Sequence, residues 1–355
     1  MVIDMHAHVI PDGFPEARGG PDADSRPRLE PPDAAGARLL VSGRLRFRAA
    51  AVFFDAERRL AAMDENGVDA EVVSPMPPLL NTALAPDAGL ALCRCVNEFV
   101  ARLCEVDRIR FFGLGTVPLQ DPDLAARELS ELRQMGLHGV EIGSNVEGRS
   151  LGEERFLGFF QEAERLDVPV FVHALNPTFG ARLPAGALGG FGFAAEVALA
   201  AASLVAGGTA ERCPDLHLAF SHGAGGFPLM LTRAQYFWGG TWNEEPGPEP
   251  PPTGPARLPR SPAEYARRFY YDTLVFDRRA LRYLVDMMGA SQLLVGTDFP
   301  AMPREQPAGR TLRSLGLPPD ALAAITWSNC FRFLGLPPPS AAVGGERSPG
   351  SGPAE

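Results

Sequence analysis

The chain has no lysine: all 33 of its basic residues are arginine. That absence excludes a Schiff-base lysine as a nucleophile and a carboxylated lysine as a bridge between two metals. A metal centre in this protein is therefore expected to be mononuclear rather than carbamate-bridged. The wealth of Arg, Ala, Gly and Pro also fits a GC-rich coding sequence, which would account for the missing lysine without any functional cause but leaves the chemical exclusion intact. Cysteine is scarce as well. Cys93, Cys95, Cys104, Cys213 and Cys330 are odd in number and form no CxxC pair, which speaks against a disulfide framework or a structural zinc knuckle. A reducing, cytoplasmic setting follows as an expectation. Positive charge is in deficit, with 33 basic against 43 acidic residues and a formal charge of −10. No nucleic acid and no membrane are expected as partners, and a small molecule suits the balance better. The first residues lack a basic segment, a long apolar stretch and a cleavage site, so a soluble, untargeted protein is expected.

What is present is an alternation of short apolar runs with longer amphipathic stretches. Strands are predicted at 2–6, 69–74, 110–116, 138–143, 168–173, 216–221, 268–273 and 292–297. Helical faces fall at 56–66, 87–106, 122–135, 153–165, 193–206, 227–238, 277–288 and 318–334. Eight strand–helix units predict an α/β fold, a distorted (β/α)8 TIM barrel with a small insertion after the first strand. The barrel is assigned to residues 1–335, including the insertion at 11–55, which is too long for a simple βα loop. Within it, Arg44-Leu45-Arg46-Phe47-Arg48 alternates as a half-buried strand would, or as a solvated basic edge. The proline-rich stretch 244–262 reads as an irregular surface loop, and 336–355, rich in Pro, Gly and Ser, as a disordered tail. No internal repeat is seen.

Polar residues of one chemical kind sit at the ends of these apolar runs. His6 and His8 lie in Val2-Ile3-Asp4-Met5-His6-Ala7-His8-Val9, and residues two apart on a strand face the same way about 7 Å apart, so one divalent ion can sit between them. His173 ends Val170-Phe171-Val172, His222 follows Leu218-Ala219-Phe220-Ser221, and Asp298 follows Leu294-Val295-Gly296-Thr297. Carboxyl ends of barrel strands form the active face. His6, His8, His173 and Asp298 together supply three nitrogens and one oxygen, a ligand set for Zn2+ that leaves room for water or substrate. Taken singly, the HxH pair could be incidental, His173 a hydrogen-bonded core residue and Asp298 a helix cap. His222 is read as a general base that takes a proton from a metal-bound water, with a further metal ligand as the other reading. His138 and His217 begin strands on the opposite face and are given structural or surface roles.

The chain resembles the amidohydrolase superfamily, specifically the branch related to 2-amino-3-carboxymuconate-6-semialdehyde decarboxylase. The resemblance spans residues 1–335. It rests on Asp4-Met5-His6-Ala7-His8, Phe47-Arg48, Met63-Asp64-Glu65-Asn66-Gly67-Val68-Asp69, Val117-Pro118-Leu119-Gln120-Asp121, Ser221-His222-Gly223-Ala224-Gly225-Gly226 and Gly296-Thr297-Asp298-Phe299-Pro300. It implies a distorted TIM barrel, one catalytic Zn2+ (or another divalent ion such as Mn2+), and C–C decarboxylation rather than amide hydrolysis. Arg48 matches the branch's substrate-carboxylate arginine, and Arg233 matches an arginine that reaches a neighbouring subunit's site, implying a homodimer. A guanidinium fork binds carboxylate bidentately.

The resemblance implies either of two routes, addition of metal-bound hydroxide to a conjugated substrate or chelation of a carboxylate–phenolate pair; Asp298 could take part in both. His6-Ala7-His8, in place of the Glu-x-His of several aromatic branches, leans to the first. Two departures bear on the substrate. Ala174-Leu175-Asn176-Pro177-Thr178-Phe179 replaces a Pro-Trp pair after His173, and Ala301 stands where an aromatic pocket residue would match. The expected function is thus a zinc-dependent nonoxidative decarboxylase of a small unsaturated or aromatic carboxylic acid. A mononuclear metal hydrolase, lactonase or amidohydrolase, is the alternative, and a noncatalytic metal-binding scaffold is a third class.

Overall fold

The computed structural model describes residues 1–15, 23–175, 177–184, 186–239 and 258–338. Eight parallel strands form one sheet in sequence order: Ile3–Val9 (β1), Ala70–Pro75 (β2), Phe111–Gly115 (β3), Gly139–Gly143 (β4), Val170–His173 (β5), Leu218–Phe220 (β6), Tyr270–Asp272 (β7) and Leu293–Leu294 (β8). Each is buried along its whole length, as a strand covered on both faces must be. The ring closes where β1 meets the chain leaving β8. Met5 N donates to Val295 O at 2.7 Å, Asp298 N to His6 O at 2.8 Å and His8 N to Phe299 O at 2.7 Å. Gly296 makes this seam possible, because a Cβ there would lie 2.7 Å from the Asp272 Cβ and 2.9 Å from the His6 Cβ. The architecture is a (β/α)8 TIM barrel.

The outer helices follow from amphipathic sequence and local caps. Ala56–Asn66 (α1) starts at Asp55, whose side chain accepts from Arg58 N, and stops at Gly67 in the left-handed region at φ 68°. Pro86–Val106 (α2) buries Leu92, Val96, Val100 and Leu103 against the barrel. Pro122–Gln134 (α3) is capped by Asp121, and Arg278–Met288 (α7) by Asp277. Leu157–Arg165 (α4), Phe193–Ala206 (α5) and Phe227–Trp238 (α6) complete the set that flanks the site. The predicted helix 318–334 is three segments instead: Pro319–Ala323, a π-helical turn over Ala324–Ser328, and Asn329–Phe333.

The segment after β1 holds a small antiparallel sheet of Arg28–Leu29, Arg38–Ser42 and Leu45–Ala49. The alternating 44–48 stretch is a strand, with Arg46 and Arg48 exposed on one face and Leu45 and Phe47 half-buried on the other. Phe47 packs edge-on against Phe53 at 5.5 Å. Of the predicted proline-rich loop 244–262, residues 244–257 lie outside the described residues, as do 339–355 of the predicted tail 336–355.

Candidate metal centre

β1, β5 and the β8 exit deliver four side chains to one point. The Nε2 atoms of His6 and His173 are 2.9 Å apart, those of His6 and His8 3.1 Å, and those of His8 and His173 3.3 Å. Asp298 Oδ1 stands 3.1 Å from His8 Nε2 and 3.7 Å from His6 Nε2. Two nitrogens bound to one ion at about 2.1 Å sit about 3.0 to 3.4 Å from each other, so these separations match a shared cation.

The opposite ring nitrogens explain why the Nε2 lone pairs point inward. His6 Nδ1 donates to Asp272 Oδ2 at 2.6 Å, His8 Nδ1 to Pro75 O at 2.9 Å and His173 Nδ1 to Ala174 O at 2.8 Å. With protons fixed on Nδ1, three Nε2 lone pairs converge on one point, and only a cation, whether a proton on His6 or a metal ion, can sit between them. That arrangement is repulsive unless a cation occupies the centre. All four residues are buried. The donor set, three imidazoles and one carboxylate, therefore fits a divalent ion such as zinc.

The electrostatics agree with that fit. Burial lowers the His6 pKa, but Asp298, Asp272 and Glu141 outweigh it and raise the ring to about 9. This is the mark of a cavity short of positive charge. Burial and neighbouring imidazoles push His173 well below the usual range, and burial likewise lowers His8. Burial opposes ionisation of Asp298, yet His6, His8 and His173 prevail and hold its carboxyl far below the ordinary value.

His222 follows β6 at the cavity edge, its ring 5.3 Å from that of His6 and 5.5 Å from that of His173. Its backbone is left-handed, at φ 53° and ψ 36°, as is that of Asp298 at φ 58°. Such conformations are costly for non-glycine residues and persist where surrounding structure enforces them. Asp272 does so for His222: while Oδ2 holds His6, Oδ1 accepts from Gly223 N at 2.9 Å and Leu274 N at 3.0 Å. A single carboxylate thus orients one ligand and the turn that carries the candidate base. Burial lowers the His222 pKa, keeping the ring neutral near pH 7. The same spacing also allows His222 a ligand role, since ligand atoms of His6, His173, His222 and Asp298 lie within 4.8 Å of one another.

Above the centre opens a cavity of about 1260 Å3. Its walls are largely apolar, with Phe47, Leu80, Phe193, Val275, Phe276 and Met302 among them, and Asn81, Asn145 and Glu147 on one side. Ala301 lines it, as do His173, His222 and Asp298. The structure does not bring Arg48 here. Strand alternation turns Phe47 inward and Arg48 outward, where its guanidinium bonds Asp33 Oδ2 at 2.6 and 3.1 Å. Arg233 lies exposed on α6 with its guanidinium 4.9 Å from the Phe237 ring centre. Among the described cavity residues the arginine is Arg279, at the rim and paired with Asp277. His138 and His217 stand just before β4 and β6, remote from the cluster; His217 Nδ1 bonds Phe333 O at 2.9 Å.

Three features escaped sequence reasoning: Asp272, Glu141, and a buried ion network beneath the centre. In that network Glu71 accepts from both Arg59 and Arg304, and Arg304 is 3.2 Å from Asp4 Oδ2. Arg59 also donates to His8 O at 2.8 Å, and Arg304 Nε to Thr297 Oγ1 at 3.2 Å. Asp4 accepts from His6 N at 3.2 Å and Thr297 N at 3.1 Å. Each of these acids interrupts an apolar strand run, which was the available signal.

Residues 3–336 match the family described as Amidohydrolase. The 2-amino-3-carboxymuconate-6-semialdehyde decarboxylase of Dictyostelium discoideum is 29% identical over 339 residues, 95% of this chain and 92% of that protein. A gamma-resorcylate decarboxylase of Rhodococcus jostii (strain RHA1) is 30% identical over 260 residues, 68% of this chain and 76% of that protein. Among solved structures, the 5-carboxyvanillate decarboxylase LigW from Sphingomonas paucimobilis is 27% identical, with a TM-score of 0.67 over 79% of this chain and 83% of that one.

Proposed function

The chain belongs to the amidohydrolase family and is a carboxy-lyase of that superfamily, and on that premise we propose that it carries out zinc-dependent, nonoxidative decarboxylation of a small unsaturated or aromatic carboxylic acid. The observation that carries this reading is the convergence of three Nδ1-protonated imidazoles and Asp298 on one point at the floor of a largely apolar cavity. His6, His8, His173 and Asp298 would hold the ion, which when bound supplies Lewis acidity toward a coordinated oxygen.

The chain's own residues account for the rest. Decarboxylation breaks one C–C bond, leaves its electron pair on the substrate carbon and requires one proton there. His222, neutral and beside the ligands, can accept a proton from water or a substrate hydroxyl and return it to that carbon. Asp298 is suited to staying an anion, because the surrounding imidazoles stabilise its charge. A substrate seated against the apolar wall would displace water from the metal side, which strengthens the electrostatic contacts there.

The reading assigns the reacting carboxylate to the metal side of the cavity. Arg48 would take part in substrate binding only by exchanging Asp33 for a substrate carboxylate, an exchange that gives up an exposed pair screened by solvent. For Arg233 the reading is contribution across a homodimer. Leu229, Met230, Tyr236 and Phe237 are exposed apolar side chains on the same helix, and Leu229 also lines the cavity, so a second copy seated there would bring Arg233 beside its neighbour's site. A substrate panel of aromatic and unsaturated acids, run on metal-quantified protein and followed for both CO2 and organic product, tests the proposal. CO2 release dependent on the bound metal is expected; ring opening of a lactone without CO2 would refute decarboxylation.

A further inference from the structure

β4 places inside the barrel a carboxylate to which the ligand set above gives no role. Glu141 is fully buried with no arginine among the described residues paired to it, and its one neighbouring donor, the Ser74 hydroxyl, closes no hydrogen bond of normal geometry to either oxygen. The nearby Ser74 hydroxyl is 3.3 Å from His8 Nδ1 and 3.5 Å from Ala7 O. The buried arginines are committed elsewhere, Arg59 to Glu71 and Arg304 to Glu71 and Asp4. A carboxyl withdrawn from water stays neutral while no cation is near and ionises where something positive comes to it, so a buried glutamate beside three imidazoles is placed to answer a cation.

The surroundings say what that is. A Glu141 oxygen lies 4.0 Å from His8 Nδ1, and ligand atoms of His8, Glu141 and His173 all lie within 4.8 Å of one another. Phe171 pairs with Glu141 and His173 with Gly143 across β4 and β5. At the level of His173, β4 therefore offers glycine and no donor, while Glu141 reaches up from one step lower. We propose that Glu141 is a further carboxylate of the metal centre, held beneath His8 and His173 as a counter-charge to the ion. Two carboxylates, Asp298 and Glu141, then balance a divalent cation, while Asp272 remains tied to His6. This proposal rests on the metal reading above.

The test uses the full chain, stripped of metal and reloaded with Zn2+ or Co2+. Zn2+ affinity is measured by competition with a chromophoric chelator, the Co2+ site by its visible spectrum, and folding by thermal unfolding of the metal-free protein. Glu141→Gln keeps the shape and removes the charge; Glu141→Leu removes the polar group. Both should bind Zn2+ at least tenfold more weakly than wild type, with an altered Co2+ spectrum in each. Metal-free Glu141→Leu should unfold at a higher temperature than metal-free wild type, because an unpartnered buried carboxyl is gone. Opposite signs for metal affinity and metal-free stability are not what a merely structural residue gives. Should Glu141→Leu fail to fold, Glu141→Gln decides alone. Wild-type Zn2+ affinity and an unchanged Co2+ spectrum in Glu141→Gln overturn the proposal while leaving the metal reading standing; a wild-type protein that binds neither metal overturns both.

Discussion

Replacing Arg304 with methionine removes the cation that joins three parts of the ion network under the metal centre. Its guanidinium touches Glu71 and Asp4, donates to Thr297 Oγ1, and lies over the Phe299 ring 3.6 Å from its centre. Asp4 and Glu71 are fully buried, so neither recovers a partner from water. Breaking a buried pair in this way costs about 3–5 kcal/mol, because an uncompensated charge is left behind. At about 2.1 cal/mol/K per residue, a chain of this length unfolds with an entropy of about 0.75 kcal/mol/K, so the melting temperature should fall by about 4–7 °C. The comparison is made on metal-free protein by calorimetry, so that bound metal does not mask the change. Arg304→Lys keeps the charge and loses the planar fork, and should fall between the two. Because Thr297 immediately precedes Asp298, folded Arg304→Met should also bind metal more weakly. A melting temperature within about 1 °C of wild type would refute the energetic argument. A lowered one with unchanged metal affinity would show that the network supports the barrel without positioning the ligand.

Paired loss of His6 and His8 should abolish stoichiometric metal binding and turnover together, as read by elemental analysis; full occupancy in that variant would remove the ligand assignment. His222→Ala should depress kcat far more than metal content, and wild-type kcat should hold level through pH 6.5 and decline only in the more acidic range below it, because burial keeps the functional neutral ring in place down to a lower pH. A kcat still level in that acidic range, or metal loss as the main effect of the substitution, would exclude His222 as the base. Chelation of the wild-type enzyme should lower its melting temperature by about 5 °C relative to protein held at a thousandfold excess over Kd, the equivalent of about 4 kcal/mol. Mixing inactive His222→Ala and Arg233→Ala subunits should restore activity if Arg233 acts across a dimer, since one site of each mixed dimer then has both residues; subunit exchange without recovery would argue for action within one chain.

The barrel was legible because its strands are buried on both faces and so read as unbroken apolar runs. All eight predicted runs are strands of the closed sheet. Their limits were less legible, as β8 shows: the apolar run 292–297 predicts six residues, yet ladder pairing stops at Leu294 and the chain continues to Phe299 through separate bonds to β1. The final helix carries one periodic pattern, but a π turn interrupts it. Asn329, just beyond that turn, bonds Ala290 O and Leu293 O at 2.8 Å each, a tertiary demand that periodicity does not encode. The four candidate ligands were readable because strand ends in a barrel converge whatever their distance along the chain. Arg48 marks the boundary of that logic. The alternation of 44–48 was visible, but which face of the strand would meet the cavity depends on how the insertion folds back, and it is Phe47 that does.

What the sequence concealed has a common physical form: buried charge whose meaning depends on partners far away in the chain. Asp272 matters because it meets His6, 266 residues distant, and the backbone of Gly223. Glu71 matters because Arg304, 233 residues further on, joins the nearby Arg59 on its carboxylate. A single acid within an apolar run announces that something must offset it, without saying what. The network beneath the centre offsets its own charge, two acids against two arginines, and can be described without a ligand. The layer above cannot: three imidazole Nε2 atoms meet at one point, and the carboxylates of Asp298 and Glu141 stand beside them with no arginine paired to either among the described residues. Balanced charge below and unbalanced charge above locate the demand for a cation at the mouth of the barrel, where the apolar cavity opens.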